Sequence, residues 1–157
     1  MAGTCEDALG ALSERLGLPL EFRDGSCVLD IGGQPFTLTC DGELDRLVVS
    51  ALVTDDLPEA PSRQLIADLL DLGFGMMQEG LPAVGRDPET GFIAAFAIYP
   101  CARLNPAEFP DSFTKFVAFA SRLSERLDAE RAGTHSPAPA TPVSDAPSFG
   151  HSGFMQV

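Results

Sequence analysis

Apolar positions along this chain switch between a helical period and a strand period, and the switches mark its elements. Ala8, Leu9, Leu12 and Leu16 recur at spacings of three and four with Cys5 on their face, while Glu6, Asp7 and Glu14 point elsewhere. This predicts an amphipathic helix over 5–16. Thr4 with Asp7 gives a start resembling a capping box. Gly17 supplies a left-handed stop, and Pro19 prevents the helix from resuming.

The period then becomes two. Leu20-Glu21-Phe22-Arg23 alternates before a turn at Asp24-Gly25. Cys27–Ile31 and Pro35–Cys40 read as strands joined at Gly32-Gly33, a hairpin signal. Asp41-Gly42 turns the chain into a further strand, Arg46–Val53. Turns this short require antiparallel neighbours. A second helix is expected over 62–77, with Ser62 as N-cap and an apolar face of Leu65, Ile66, Leu69, Leu70 and Met77. Gly73 and Gly75 weaken its end. Leu81–Arg86 and Phe92–Tyr99 read as two strands around the turn Asp87-Pro88-Glu89-Thr90-Gly91. The last helix starts at Asn105-Pro106 or near Pro110-Asp111 and runs to about Arg131. Phe113, Phe116, Val117, Ala120, Leu123 and Leu127 form its apolar stripe.

Helix, strands, helix, two strands, helix is an α+β order. It predicts one twisted antiparallel sheet of about five strands packed by three helices. Two strands carry more apolar surface than one sheet face needs. Phe92, Ala94, Phe96 and Ile98 alternate with Ile93, Ala95, Ala97 and Tyr99, and both sets are apolar. Leu47–Val53 is nearly the same. A sheet with one wet face normally alternates with polar residues. Three modest helices cover one face and little more, so apolar surface is left for another chain. The second helix and the strand after it form the expected dimer seam: Leu65, Ile66, Leu69, Leu70, Met76, Met77 and Val84.

Composition divides the 157-residue chain. From Gly133 onward it is rich in Pro, Ser and Ala, a stretch too poor in apolar surface to offset its ordering entropy. The expected organisation is an α+β domain over 1–132 and a flexible tail over 133–157. Of the 23 acids 22 lie before residue 133, as do all ten bases, so -12 of the formal charge of -13 belongs to the domain. That charge argues against nucleic acid and against docking on anionic lipid. No apolar run approaches the roughly 18 residues of a membrane span. The start MAGTCEDALG lacks the basic and apolar regions of a secretory signal.

Little in the chain points to catalysis. Cys5, Cys27, Cys40 and Cys101 contain no C-x-x-C pair, which argues against a zinc site. Without a secretion signal they are expected as reduced thiols, those beside strands acting as small hydrophobes. Both histidines, His135 and His151, lie in the tail, where no packed scaffold holds a catalytic base. Phosphate-loop and dinucleotide fingerprints are absent. The expectation is no enzyme, no metal and no cofactor.

The opening helix CEDALGALSERLGLP, the block CVLDIGGQPFTLTCDGELDRLVVSALV, the helix LLDLGFGMM, and RDPETGFIAAFAIYP followed by NPAEF and LSERL resemble one family in order, length and acidity. This arrangement resembles the class I chaperones of type III secretion, the group related to the Tir chaperone. The resemblance covers about residues 5–131. It implies a bacterial cytoplasmic homodimer that uses no ATP and holds the N-terminal segment of a secreted effector extended for export. It places groove-lining positions on Leu9, Leu12 and Leu16 of the first helix and among Phe92, Phe96 and Ile98 of the strand. Ile93 and Tyr99 stay equally eligible, because the exposed sheet face is not readable from the pattern. The tail is longer than the family usually carries, and Lys115 is the single lysine. Two other readings accompany this one: a regulatory protein of the same fold that sequesters an activator or anti-activator, and a non-enzymatic small-ligand-binding domain.

Overall fold

The computed structural model describes residues 2–55, 57, 61–79 and 82–134, with side chains described at 5–55, 57, 61–72 and 82–133. Its elements run α1 (Ala2–Leu16), β1 (Ser26–Ile31), β2 (Gln34–Asp41), β3 (Arg46–Thr54), α2 (Arg63–Glu79), β4 (Ala83–Arg86), β5 (Ile93–Pro100), a one-turn 3-10 helix (Cys101–Arg103) and α3 (Phe109–Thr134). The five strands form one antiparallel sheet in the order β1-β2-β3-β5-β4. The tail from residue 135, where the sequence predicted flexibility, lies outside the described residues.

Most predicted boundaries hold, for the expected local reasons. α1 stops at Gly17, whose φ of 68° lets its N–H reach the Ser13 carbonyl at 2.9 Å. The β1–β2 hairpin turns at Gly32-Gly33, both with positive φ, and the Gly33 N–H donates to Asp30 Oδ1 at 2.9 Å. Ser62 caps α2 by accepting from the Leu65 N–H at 3.1 Å. Pro110 sits in the first turn of α3, where its missing N–H costs nothing.

Three expectations fail. α1 begins at Ala2, so Thr4 lies inside its first turn rather than ahead of it. Leu20–Arg23 is not a strand; it makes one isolated bridge, Arg23 with Ser26. Asp24 and Gly25 both take positive φ there, and the tight reversal leaves no length of chain to pair with β1. Third, the cysteines are not all free: Cys5 and Cys101 form a disulfide across 96 residues, while Cys27 and Cys40 remain thiols. The N-terminal turn of α1 packs where β5 runs out into the 3-10 turn, a long-range meeting that spacing does not reveal.

One sheet face carries the core. Leu29, Phe36, Ala51 and Ala95 lie in register across four strands, as do Cys27, Leu38, Val49 and Ala97, and all eight are buried. Against them pack Ala8 and Leu12 of α1 and Phe109, Phe113, Phe116, Ala120, Leu123 and Leu127 of α3. Phe36 meets the Phe113 and Phe116 rings edge-on, each at 6.2 Å between centroids. A bulge late in β3 shifts its register against β5. Val53 and Thr54 are consecutive and both buried there, and α3 holds them. Ser124 Oγ donates to the Val53 carbonyl at 3.0 Å, and the Arg131 guanidinium to Thr54 Oγ1 at 2.8 Å.

α2 lies beside α3 and over β4. The Ser62 N–H donates to Glu130 at 2.7 Å, and Asp68 pairs with Arg126. The Glu130 carboxyl is held below its ordinary range, first by hydrogen bonds from the Ser62 hydroxyl and N–H, then by the Arg126 charge.

Candidate functional site

The helices pack on one side of the sheet, and among the described residues no helix covers its other face. The register puts Val28, Thr37, Ser50, Phe96 and Ala83 in one row across all five strands. Ser26, Thr39, Val48 and Ile98 form the next row. Hydroxyls therefore occupy the middle of this face on β2 and β3, and larger apolar groups flank them. Val28 is 66 % exposed, Phe92 42 % and Ile98 41 %. These are large apolar side chains held in water, against the usual burial preference.

A groove of about 450 Å³ runs over this face, lined by Thr37, Ser50, Leu52, Ala94 and Phe96, with Phe92 and the β4–β5 turn at its end. The turn is rigidly built. Asp87 accepts from the Glu89 N–H at 2.9 Å and the Thr90 hydroxyl at 2.8 Å, bonds that hold its carboxyl below the ordinary range. The Phe96 ring lies over Gly85; a β-carbon there would stand 3.3 Å from Phe96 Cε1. Glycine thus leaves room for the edge of the ring to approach β4 closely.

The six predicted contact residues separate into two groups. Phe92, Phe96 and Ile98 gather on the open sheet face. Leu9, Leu12 and Leu16 lie across the sheet with the helices. Leu12 is 1 % exposed and part of the core, whereas Leu9 and Leu16 are half-buried at its margin. Of the alternative positions, Ile93 is buried and Tyr99 packs edge-on against Phe109 at 5.4 Å. β5 therefore turns Ala95 and Ala97 inward and Ala94, Phe96 and Ile98 outward. The sequence reading missed Val28 and Leu52 on the same face. The signal was present: in Ser26–Ile31 the inward Cys27 and Leu29 force Val28 outward.

The predicted seam residues also divide. Leu65 is fully buried within the chain, and Leu69 and Val84 are half-buried. Leu70 is 69 % exposed and Ile66 44 %. Met76 and Met77 lie on α2, where side chains are not described. Between α2 and α3 lies a cleft of about 510 Å³, floored by Leu65, Leu69, Leu72, Phe119 and Leu123 and rimmed by Asp68, Asp71, Arg122 and Arg126. Phe119 and the two arginines were not anticipated, because α3 had been read for its core stripe alone.

Among the described residues no group of His, Cys, Asp or Glu is placed to hold a metal ion. None of their buried side-chain polar atoms lacks a hydrogen-bond partner. No described helix is long and apolar enough to cross a membrane.

Comparison with known proteins gives the fold its relatives. No curated protein sequence matches significantly. Among solved structures, the HopA1-SchA chaperone-effector complex contains a chain similar to this one, with a TM-score of 0.64 and 23 % identity over 78 % of this chain and 94 % of that one. The ExsC-ExsE complex contains another, at 0.62 and 19 % identity over 80 % and 94 %. The ExoT-SpcS complex from Pseudomonas aeruginosa follows at 0.55 and 21 %, over 78 % and 98 %. At these identities the likeness is one of fold. The family is set by sequence: the model of the Tir chaperone protein (CesT) family matches residues 7–124, well over half of the chain, which therefore belongs to that family.

Proposed function

We propose that the protein is a cytoplasmic type III secretion chaperone that works as a homodimer and holds the N-terminal segment of one secreted effector in an extended, export-competent state. The observation that carries this reading is the sheet face away from the helices, with its groove of about 450 Å³ lined by half-buried Phe96, and with Val28, Phe92 and Ile98 exposed to water. An extended peptide laid across such a face buries alternate side chains in the groove. β1 and β4 are the sheet's outer strands, and an added strand would gain main-chain hydrogen bonds there. Ordering a flexible client costs entropy, so a wide surface is needed rather than a small pocket.

The homodimer is part of the same proposal. Ile66 and Leu70 on α2, continuous with half-buried Leu69 and Val84, make a second apolar patch suited to a copy of the same surface. The domain's acidity keeps such a molecule soluble while its apolar faces wait for a client. The chemistry is non-enzymatic, and no cofactor is assigned.

The experiment is co-expression with the product of the adjacent gene, followed by purification through a tag on that product. The reading expects a stable complex held through the partner's N-terminal hundred or so residues. A client bound only through a folded C-terminal domain, or only in the presence of ATP, contradicts it.

A further inference from the structure

The disulfide between Cys5 and Cys101 joins α1 to the end of the sheet, and both cysteines are buried at the edge of a cleft. The two Cα atoms are 5.6 Å apart and the two residues 96 apart in sequence. The bond stands in the wall of a cleft of about 320 Å³ between α1 and the β2–β3 turn, with Leu9, Cys40 and Arg46 among its lining. Cys5 is itself buried, and the next inward residue of α1 is the small Ala8. Deeper anchorage comes from Leu12, a turn further on, which is fully packed against the core. The bond thus ties the N-terminal end of α1 covalently to the end of the sheet, while Leu12 holds the helix further along.

We propose that Cys5 and Cys101 are a thiol–disulfide site that pins or frees the N-terminal turn of α1 in the folded protein. The reductant is a dithiol. One of its thiolates attacks a sulfur of the pair, forming a mixed disulfide and releasing the other cysteine as a thiolate that takes up a proton. The second thiolate of the reductant then displaces the remaining cysteine, leaving two protein thiols and the oxidised reductant. Two electrons pass to the protein, and a disulfide oxidant reverses the sequence. Cys40 faces the same cleft without joining the pair. Burial, and then the charge of Glu6, hold its thiol above the ordinary value, so it stays protonated at neutral pH and does not scramble the bond. The inference goes beyond the proposed function, and its readouts come from the free protein, so the two fail separately.

The test uses the full chain purified without reductant. Alkylation in denaturant and peptide mass mapping should find Cys27 and Cys40 modified and Cys5 joined to Cys101; after dithiothreitol all four should be modified. Reduction should lower the melting temperature by roughly 10 °C, as expected for a closed loop of this length, and leave the circular dichroism at ambient temperature unchanged. Oxidised dithiothreitol should restore both the bond and the melting temperature. Cys101→Ser should melt like the reduced protein and ignore the dithiol, and Cys40→Ser should keep the full shift. Four modifiable thiols before reduction, unfolding on reduction, or loss of the shift in Cys40→Ser would each overturn the proposal. The titration of the natural chain decides the matter even if Cys101→Ser fails to fold.

Discussion

Phe36 and Val28 face opposite sides of the same hairpin, and their energetics differ accordingly. Phe36 is fully buried against the Phe113 and Phe116 rings. Phe36→Ala should destabilise the domain by about 3–5 kcal/mol in denaturant unfolding, through lost burial and a residual cavity. Val28 is mostly in water, so Val28→Thr should stay within about 0.5 kcal/mol of the natural chain. A large cost at Val28 would mean that the open face is packed within the monomer. Alternation carried the signal for both residues, since one strand position decides all the others, but Val28 was not picked out from it. It did not say which face of β5 was inward, because both are apolar. The physical answer lies in size: Ala95 and Ala97 turn toward the helices, and Phe96 and Ile98 are left outside. Leu12 shows the complementary limit. A helical stripe identifies a buried face but not what buries it, and Leu12 belongs to the core of its own chain.

Among the described residues, α2 is tied to α3 by the Ser62–Glu130 bond and the Asp68–Arg126 pair, which makes its docking measurable. Ser62 both caps α2 and bonds Glu130. Ser62→Ala should cost about 1 kcal/mol through the lost cap, read as earlier thermal unfolding. The Glu130 carboxyl is depressed, so its contribution is complete above the ordinary glutamate range and is lost as pH falls through the lower, folded value. In an NMR titration the Ser62 amide should move with Glu130 at a pH below that of an exposed glutamate. Movement at the ordinary value would show the bond to be absent in solution. The N-cap of α2 was legible because Ser62 precedes an apolar period. Its docking partner was not, since Glu130 and Arg126 lie more than fifty residues away among many similar charges. Leu20–Arg23 was misread because four alternating residues satisfy the strand period, yet a left-handed reversal at Asp24-Gly25 consumes the length that pairing requires.

For the whole molecule, the sequence predicted the layer order and the surplus of apolar strand surface, and the sheet leaves that surplus open on one side. It did not predict the covalent link between α1 and the end of β5, because no local spacing encodes a contact across 96 residues. Assembly is testable through the exposed patch on α2. The natural chain should scatter light with a mass near twice 16.6 kDa, and Leu70→Asp should bring it close to 16.6 kDa with its circular dichroism unchanged. A natural chain that stays monomeric at micromolar concentration contradicts the proposed seam. The central claim is that the open sheet face holds the client, and capture by Phe96→Asp tests it most directly. Phe96 is half-buried on that face, away from the helix-side core, so the variant should fold and dimerise like the natural chain. The account predicts that co-purification of the adjacent-gene product falls at least about tenfold, the loss expected when a charge replaces an apolar anchor. Undiminished capture by a folded Phe96→Asp dimer would contradict it.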